Sequence, residues 1–321
     1  MLRTLEHAGC AGIPVLFLGV AGAVLQLEEP RDFGAYAAVI GAAVRVKGVV
    51  PRIAIKQGND GAYAMDMAMV SDFIVNVRGG SEDPSGVRHG TGVVVRNRAE
   101  AVTFTRRILA CVAGGNRSVR SRPATSFEEL WRAAPLPFGK TDPREVIEAV
   151  VDGGSSLELM AGTGPSLITL LVRLEERPVG VIAHDVLVGG GALTSDAVEK
   201  GTRMTRLCSR WGMPLLVLVH APEPATTATD IGRQEGGLLH AFAATQVPRV
   251  IGRTANATRW IMNPRATGAT AVLAWPDPLG RGEQASIDAV ITPTRTRNVV
   301  STLLGCAGVQ PVLGGYAPAP K

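Results

Sequence analysis

Two stretches of the sequence repeat one another, VPRIAIKQGNDGAYAM at residues 50–65 and VPRVIGRTANATRWIM at residues 247–262. They align without a gap, and both open on Val-Pro-Arg. Each copy follows a helix-like stretch and an earlier apolar strand, and each precedes a further apolar strand. A repeat of this kind predicts two copies of one α/β domain.

Around these repeats, short β-type apolar runs alternate with periodic, helix-like segments along the whole chain. Strands are predicted at 15–18, 52–55, 73–77, 93–95, 179–183, 215–219, 250–252 and 271–275. Helices are predicted at 33–47, 100–112, 142–151, 195–211 and 235–245. The alternation is typical of an α/β protein with buried sheets.

The composition fits a folded chain of one large or two ordinary domains. The 321 residues include 46% apolar side chains, which excludes a disordered or collagen-like chain. The net charge of +5 suits an anionic ligand or acidic partner, but the absence of a long basic run disfavours nucleic acid. Because residues 114–140 interrupt the pattern, we predict an N-terminal domain at 1–115, a linker at 116–140 and a C-terminal domain at 141–321.

The first 25 residues imitate a signal peptide, because Met1-Leu2-Arg3 precedes an apolar stretch. Pro14 and four glycines interrupt that stretch, and it is too short to cross a bilayer. We interpret it as a helix end followed by a buried strand, and we expect a cytoplasmic protein with no membrane partner. The four cysteines are widely spaced, which predicts small buried apolar thiols and no metal site.

Both repeats run from a strand into a tight loop that leads into a helix-like segment. The loops lie at residues 58–62 and 255–258. Successive backbone N–H groups at such a turn have no partner within the helix, so they offer an anion or oxyanion site. The loops alone fit a merely connecting role as well.

Several local motifs of the second half are specific: Arg-Pro-Val-Gly at 177–180, Glu199-Lys200, Met-Pro-Leu at 213–215 and Val-Pro at 247–248. With them, residues 142–184 and the segments that follow closely resemble the C-terminal domain of acyl-CoA carboxylase carboxyltransferase (β) subunits. Residues 11–112 resemble the second part of the N-terminal domain of that family more weakly. The chain is identified as a truncated, divergent member of this family.

The resemblance implies an α/β protein of two tandem crotonase-like (ββα spiral) domains, in a homo-oligomer or in a hetero-oligomer with a paralogous subunit. It implies an acyl-CoA or phosphopantetheine thioester as the substrate, and carboxybiotin delivered by a biotin carboxyl carrier. An acyl carrier protein is the other expected partner. Two backbone oxyanion sites would stabilise an enolate and the charge developing on biotin, so the leading function is carboxyl transfer by a transferase without a metal.

The resemblance also suggests residues for these roles. The oxyanion donors are Asp60, Gly61 and Ala62 in the N-terminal domain and Ala257 and Thr258 in the C-terminal domain. The candidate binding residues are Ala21, Gly22, Ala23, His89 and Arg259. Asp60 and Asp66 are candidates for a carboxylate beside the first oxyanion loop, and His220 and Glu223 are candidates for proton transfer or simple turn residues.

Departures from the family pattern leave two alternatives open. Ala257 and Thr258 stand where the family carries paired glycines, and the chain is shorter than usual. The first alternative is biotin-independent decarboxylation, or other enolate chemistry on an acyl thioester. The second is a non-catalytic subunit of a heteromeric acyl-CoA carboxylase-type complex.

Overall fold

The computed structural model describes residues 1–19, 30–57, 66–68, 70–78, 92–112, 141–189, 193–219, 229–253, 267–276 and 287–306. The described residues fall into two compact units, an N-unit up to residue 112 and a C-unit from residue 141. Each unit has its own sheet with packed helices, as expected for the mixed α/β class.

The N-unit is built on a four-stranded parallel sheet in the order β1-β2-β3-β4. Its strands are β1 (Val15–Leu18), β2 (Arg52–Gln57), β3 (Phe73–Val77) and β4 (Gly92–Val95). Its helices are α1 (Leu2–Ala11), α2 (Pro30–Arg45) and α3 (Arg98–Val112). Parallel neighbours need crossover connections, and this explains why helical segments alternate with strands in this half of the sequence.

Helices pack on the N-unit sheet but leave much of strand β1 exposed. The α1 and α2 side chains form one core cluster with Phe17 and Ala54, while α3 packs on β3 through the stacked rings of Phe73 and Phe104. Strand β1 is an edge strand, and its Leu16 and Leu18 side chains are 42% and 65% exposed. The expectation of a buried strand at 15–18 is therefore wrong, since Phe17 alone of its four residues is buried.

The C-unit is built on a seven-stranded sheet in the order β11-β10-β9-β8-β7-β6-β5. The pairs β5–β6 and β6–β7 are antiparallel, and every pair from β7 to β11 is parallel. The strands are β5 (Leu157–Glu158), β6 (Leu167–Leu174), β7 (Arg177–His184), β8 (Leu215–Val219), β9 (Arg249–Arg253), β10 (Ala271–Ala274) and β11 (Ala289–Val290). The helices are α4 (Pro143–Val150), α5 (Ser195–Arg210), α6 (Thr229–Ala244) and α7 (Thr296–Cys306).

Helices flank the C-unit sheet on both faces. Helices α4 and α7 enclose the larger apolar cluster with the sheet, and α5 packs on β6 and β7 from the opposite face. Gly180 of β7 permits the close approach of α5, because a Cβ built there would lie 2.2 Å from Cys208 Sγ. Hydrophobic runs buried on both faces explain why these strands lack an alternating pattern.

The eight predicted strands and five predicted helices are all confirmed, with shifts at their ends. Asp142 caps α4, since its carboxylate accepts the backbone N–H of Arg144. Strands β5, β6 and β11 were not predicted. Strand β6, LITLLVRL, is a mainly apolar run without a clear alternation, and such a run does not separate a buried strand from a helix.

A buried carboxylate holds the turn between β6 and β7. Glu175 and Glu176 adopt φ values of 50° and 65°, which L-residues seldom do. Asp152 accepts both of their backbone N–H groups, at 3.0 and 2.8 Å, and it pairs with Arg297 of α7 at 2.6 Å. The hairpin therefore lacks the usual Asn-Gly signature because a distant side chain stabilises the turn.

Prolines stand at the amino edges of both sheets. Pro51, Pro214 and Pro248 immediately precede β2, β8 and β9. Their carbonyls accept the N–H of Val15, Gly180 and Leu215 on neighbouring strands, at 2.8, 2.9 and 2.9 Å. Since proline has no backbone N–H to donate, the first backbone N–H donor of each of these strands is the residue after its proline.

The cysteine expectation is only half confirmed. All four thiols are free, and Cys111 and Cys208 are buried as expected. Cys10 at the end of α1 and Cys306 at the end of α7 are exposed, because both helices end at the surface. Burial in apolar surroundings raises the pKa of Cys208 well above its ordinary value.

Candidate functional site

Of the predicted site residues, Asp66 lies in the described part of the chain and the others lie outside it. The first oxyanion candidates follow the end of β2, and the second follow the end of β9. The residues concerned are Asp60, Gly61, Ala62, Ala257, Thr258, Ala21, Gly22, Ala23, His89, Arg259, His220 and Glu223. The described residues instead define the sheet edges from which these segments depart.

The four strands of the N-unit end at one edge of their sheet. Because they are parallel, Leu18, Gln57, Val77 and Val95 are their last residues at that edge. The segments that carry the predicted binding residues, the first oxyanion loop and His89 follow β1, β2 and β3 there. Ligands of open α/β sheets bind outside the carboxyl ends of the strands, so all three predicted segments begin at the chemically expected edge.

This carboxyl edge of the N-unit is basic. Arg78 follows β3, while Arg96 and Arg98 follow β4, and all three are exposed. The Arg98 guanidinium donates to the Gln57 amide oxygen across the edge, and Arg96 lies 3.5 Å from the Glu100 carboxylate. Cationic side chains outnumber carboxylates at this edge in the ranges described, which favours an anionic ligand.

A tyrosine and an aspartate pair at the turn that follows the first predicted oxyanion segment in the sequence. The Tyr36 phenol of α2 donates to Asp66 Oδ2. Asp66 begins a helical turn at residues 66–68, four positions after Ala62, and its side chain is exposed. Met67 and Ala68 of the same turn are buried in the α2 core cluster, so packing fixes the turn against α2.

The C-unit presents a corresponding carboxyl edge. Strands β7, β8, β9 and β10 are parallel and end there at His184, Val219, Arg253 and Ala274. Strand β6 begins at the same edge, because Leu167 pairs with His184 in antiparallel register. The second predicted oxyanion segment follows β9 in the sequence, and β9 lies two strands away from β7, which is roughly 10 Å at ordinary strand spacing.

A cluster of buried and half-buried charges lies at this edge beside β7. Arg144 of α4 donates two hydrogen bonds, of 2.8 and 2.9 Å, to the Glu158 carboxylate of β5, and the two groups form a bidentate pair. The hydrogen bonds that Arg144 donates to Glu158 raise the pKa of Arg144. Arg144 also lies 3.7 Å from Asp185, which directly follows β7 and accepts the N–H of Leu187. One arginine thus ties helix α4 to two strand ends.

Lys200 of α5 belongs to the same cluster and is only 1% exposed. Burial lowers the pKa of its ammonium to about 8; the nearby Glu158 carboxylate opposes this shift and Arg144 adds to it. Sequence reasoning did not select Arg144, Glu158, Asp185 or Lys200 as a group. One signal was available, because Lys200 occupies the apolar face of α5 with Ala197, Gly201 and Met204.

Among the described residues, no group of three or more His, Cys, Asp or Glu side chains is arranged to hold a metal ion. In the same part of the chain, no helix combines the length and the apolar character that crossing a membrane requires.

Comparison with known proteins matches residues 82–280 to the model of the carboxyl transferase domain. The chain is 28% identical to the biotin-dependent acetyl-/propionyl-coenzyme A carboxylase beta6 subunit of Mycobacterium bovis, over 82% of this chain and 63% of the relative. It is 30% identical to the propionyl-CoA carboxylase beta chain of Rhodococcus erythropolis, with the same two coverages. The chain therefore spans about 63% of the length of these relatives.

Among solved structures, the fold is similar to a transcarboxylase 12S structure described as a hexamer assembly with hydrolysed methylmalonyl-coenzyme A bound. The TM-score is 0.77 at 23% identity, and the match covers 100% of this chain and 76% of that one. The likeness shows that this chain shares the fold of that structure.

Proposed function

Because the chain belongs to the carboxyl transferase domain family, we propose that it transfers a carboxyl group onto an acyl thioester. The observation that carries the proposal is the family match over residues 82–280, which includes the carboxyl edges of the C-unit strands. The substrate is an acyl-CoA or an acyl carrier protein thioester. Carboxybiotin on a partner protein would supply the carboxyl group and accept the α-proton of the thioester.

The contribution of this chain is to stabilise an enolate. When the α-proton leaves, negative charge develops on the thioester oxygen, and backbone N–H groups at residues 60–62 would donate to it. By analogy with measured oxyanion donors, each such donor contributes about 3–4 kcal/mol. The donors at Ala257 and Thr258 would stabilise charge on the ureido oxygen of biotin. The basic edge formed by Arg78, Arg96 and Arg98 supports a phosphate-bearing thioester.

We also propose that the two units are tandem crotonase-like domains related by the sequence repeat. The support is a shared structural position: Arg52 and Arg249 each begin a parallel strand, and each is buried. In both units the next segment along the chain carries a predicted oxyanion loop. Each domain would then serve one of the two anionic intermediates.

For the assembly, we propose a homo-oligomer or a hetero-oligomer with a paralogous subunit. The relatives are named as subunits of biotin-dependent carboxylases, and the solved relative is a hexamer. A biotin carboxyl carrier would be the transient partner in either assembly.

A second candidate reaction is biotin-independent enolate chemistry, such as decarboxylation of a malonyl-type thioester. The supporting observation is the pair Ala257 and Thr258, where a β-carbon narrows the approach that paired glycines would leave open. This reaction needs only the first oxyanion site.

Incubation of the purified protein with a carboxylated biotin-carrier domain and a panel of acyl-CoAs tests the leading proposal by mass spectrometry of the thioester. We expect a mass gain of one CO2, because a carboxyl group replaces the α-hydrogen. The variant Ala62→Pro, which removes one backbone donor, should lose most of this activity, while the matched Ala62→Ser retains the donor and the activity. Loss of CO2 from malonyl-CoA without any carboxylation would favour the second reaction instead.

A further inference from the structure

We propose that the exposed face of helix α3 binds an acidic acyl carrier protein, so that the acyl thioester reaches the N-unit on a carrier protein in preference to CoA. The inference rests on the proposed function, because it names the source of the thioester on which that function acts. The partner is defined by its chemistry, as a small protein that presents a phosphopantetheine thioester beside an acidic helical surface.

Charge supplies the first argument. The exposed side chains of α3, of the residue pair before it and of the end of β3 form one surface, which we call the α3 surface: Arg78, Arg96, Arg98, Val102, Arg106 and Arg107. Glu100 is the one carboxylate of the described range 92–112, and it pairs with Arg96. Five arginines and one glutamate give this surface a net charge of +4, against +5 for the whole chain. A surface of this charge attracts an acidic partner.

Helix geometry arranges part of this charge in a row. Arg98, Val102 and Arg106 follow one another at intervals of four residues, so their side chains share one face of α3. The row extends about 12 Å along the helix axis, at ~1.5 Å per residue. Another face of α3 packs on β3, where Ile108 is fully buried and the Phe104 ring stacks on Phe73. This packing fixes the row on the exposed side of the helix.

One end of the α3 surface lies at the carboxyl edge of the N-unit sheet. Helix α3 begins directly after β4, at the edge where the segments with the predicted binding residues begin. Arg78 donates its backbone N–H to the Val95 carbonyl at 2.8 Å, and Arg98 donates to the Gln57 amide oxygen, so both arginines lie at that edge. A carrier protein bound along α3 would therefore present its phosphopantetheine arm where the thioester is expected.

The form of the surface favours a protein over a nucleotide. The Arg96 side chain is 84% exposed, and Val102 is 42% exposed between two arginines of the row. Small ligands bind in concave sites that bury most of their surface, whereas a protein interface combines an apolar centre with charged residues around it. Among carrier proteins, the biotin carrier is expected at the C-unit, because the second predicted oxyanion segment follows β9.

Binding tests the inference directly. A fluorescently labelled propionyl carrier protein is titrated with the full chain, and its anisotropy gives the Kd. Arg106→Glu should raise the Kd about tenfold, because the side chain then repels the acidic partner. Val102→Asp, which introduces a negative charge in the middle of the row, should weaken binding by a similar factor. Arg106→Lys keeps the charge and should keep the Kd within about twofold of wild type.

Salt supplies a second measurement on the same complex. Raising the salt concentration from about 0.05 to about 0.5 M shortens the screening length several-fold, so the Kd of wild type should rise roughly tenfold. The Kd of Arg106→Glu should depend less steeply on salt, because one attractive charge is missing.

Turnover separates the carrier protein from CoA. Each variant receives a carboxylated biotin-carrier domain and either propionyl carrier protein or propionyl-CoA. Wild type should show the lower KM for the carrier thioester. Arg106→Glu should raise that KM about tenfold, while kcat and the kinetics with propionyl-CoA stay unchanged, because Arg106 lies about 12 Å along α3 from Arg98 at the sheet edge.

A matched control changes the same charge elsewhere on the N-unit. Arg3 is an exposed residue of α1. Ile74 packs in the cluster of α1 and α2, while its neighbour Phe73 stacks on α3, so α1 and α3 lie on opposite faces of the sheet. Arg3→Glu should therefore leave binding and turnover unchanged. All variants should keep the melting temperature of wild type, since the substituted side chains are exposed.

Three outcomes overturn the inference. Carboxylation of propionyl-CoA without binding or reaction of the carrier protein would exclude it, while the proposed function stands. An equal loss of binding in Arg106→Glu and Arg3→Glu would show an effect of overall charge. Binding of a single-stranded oligonucleotide as tight as that of the carrier protein would show a surface for polyanions in general. If the carrier protein binds as expected but neither thioester gains a carboxyl group, the assignment of the α3 surface stands and the proposed function fails.

Discussion

Arg52 and Arg249 donate to equivalent carbonyls in the two units. Each arginine begins a strand, and its Nη1 group donates to the carbonyl two residues before the end of the preceding helix. The acceptors are Ala43 of α2 at 2.5 Å and Phe242 of α6 at 2.8 Å. The last carbonyls of a helix have no partner within it and carry partial negative charge, so a buried guanidinium is well suited to this place.

The two arginines differ in how their charge is compensated. Arg52 pairs with the buried Asp72 carboxylate at 2.8 Å. Arg249 donates to the Thr267 carbonyl at 2.8 Å and stands over the Phe242 ring, 4.6 Å from its centroid. Burial lowers the pKa of Arg249 to about 10. One structural position is thus stabilised by an ion pair in the N-unit and by dipoles and an aromatic face in the C-unit.

Breaking the N-unit pair should be costly. We expect Asp72→Asn to lower the free energy of unfolding by roughly 3–5 kcal/mol, because it leaves the Arg52 charge buried without its counter-ion. Urea denaturation measures the loss. The control Glu6→Gln breaks the exposed pair with Arg45 and should cost under about 1 kcal/mol. An equal loss of unfolding free energy in Asp72→Asn and Glu6→Gln would contradict the expected difference between the buried and the exposed ion pair.

Lys200 should make stability depend on pH. Its folded pKa of about 8 lies below the ordinary 10.5, so between these values the unfolded chain holds a proton that the folded chain has released. The stability contribution therefore rises with pH across this window, by on the order of 3 kcal/mol. Lys200→Met should remove that rise, while Lys47→Met, at an exposed position, should keep it.

The comparison is made by urea denaturation at pH 7, 8, 9 and 10. Taking the difference between wild type and Lys200→Met cancels the opposing contribution of Cys208, whose thiol ionises only on unfolding in this range. A wild-type curve that parallels the Lys200→Met curve at all four pH values would refute the assignment.

Gly180→Ala should destabilise the contact between β7 and α5. Besides Cys208 Sγ at 2.2 Å, the added Cβ would meet Met204 Cε at 3.1 Å. Overpacking of this kind costs about 1–3 kcal/mol, measured as a lower melting temperature. The second change Cys208→Ala should restore part of the loss. Gly162→Ala, with no heavy atom within 4 Å of its Cβ position, serves as the neutral control.

Thiol labelling should separate the cysteines into two classes. Cys10 and Cys306 are exposed and should react within minutes, whereas buried Cys111 and Cys208 should react only after unfolding. Burial also raises the pKa of Cys208, which suppresses the reactive thiolate. Mass spectrometry after a short pulse of iodoacetamide checks the prediction. Labelling of Cys208 in the folded protein would show that α5 opens from β7.

The sequence was most informative where local pattern determines structure. The runs at 215–219 and 271–275 are short, apolar and bounded by turn residues, so they were recognised as strands. Strand β6 was missed because its run has no period, and its turn depends on Asp152, more than 20 residues away. Local propensity contains no information about such a distant partner.

In the candidate site too, some features follow from the local sequence and others depend on the fold. The sheet topology agrees with the edges at which the predicted loops begin, while the loop residues themselves remain predictions. The Arg144 cluster could not be predicted, because its four members are separated by up to 56 positions and meet only through the fold. Asp66 was selected for its place in the sequence, but the Tyr36 contact depends on how α2 packs.

The prolines lie at the amino edges of the sheets, so substitutions there should affect stability, whereas substitutions at the carboxyl edges should affect turnover. Pro51, Pro214 and Pro248 restrict the unfolded chain and fix where strands begin, on the side of each sheet opposite the predicted chemistry. Variants at these edges should change the lifetime of the protein and leave turnover unaffected, while variants at the carboxyl edges should do the reverse. Robustness and reactivity can therefore be engineered independently in each unit.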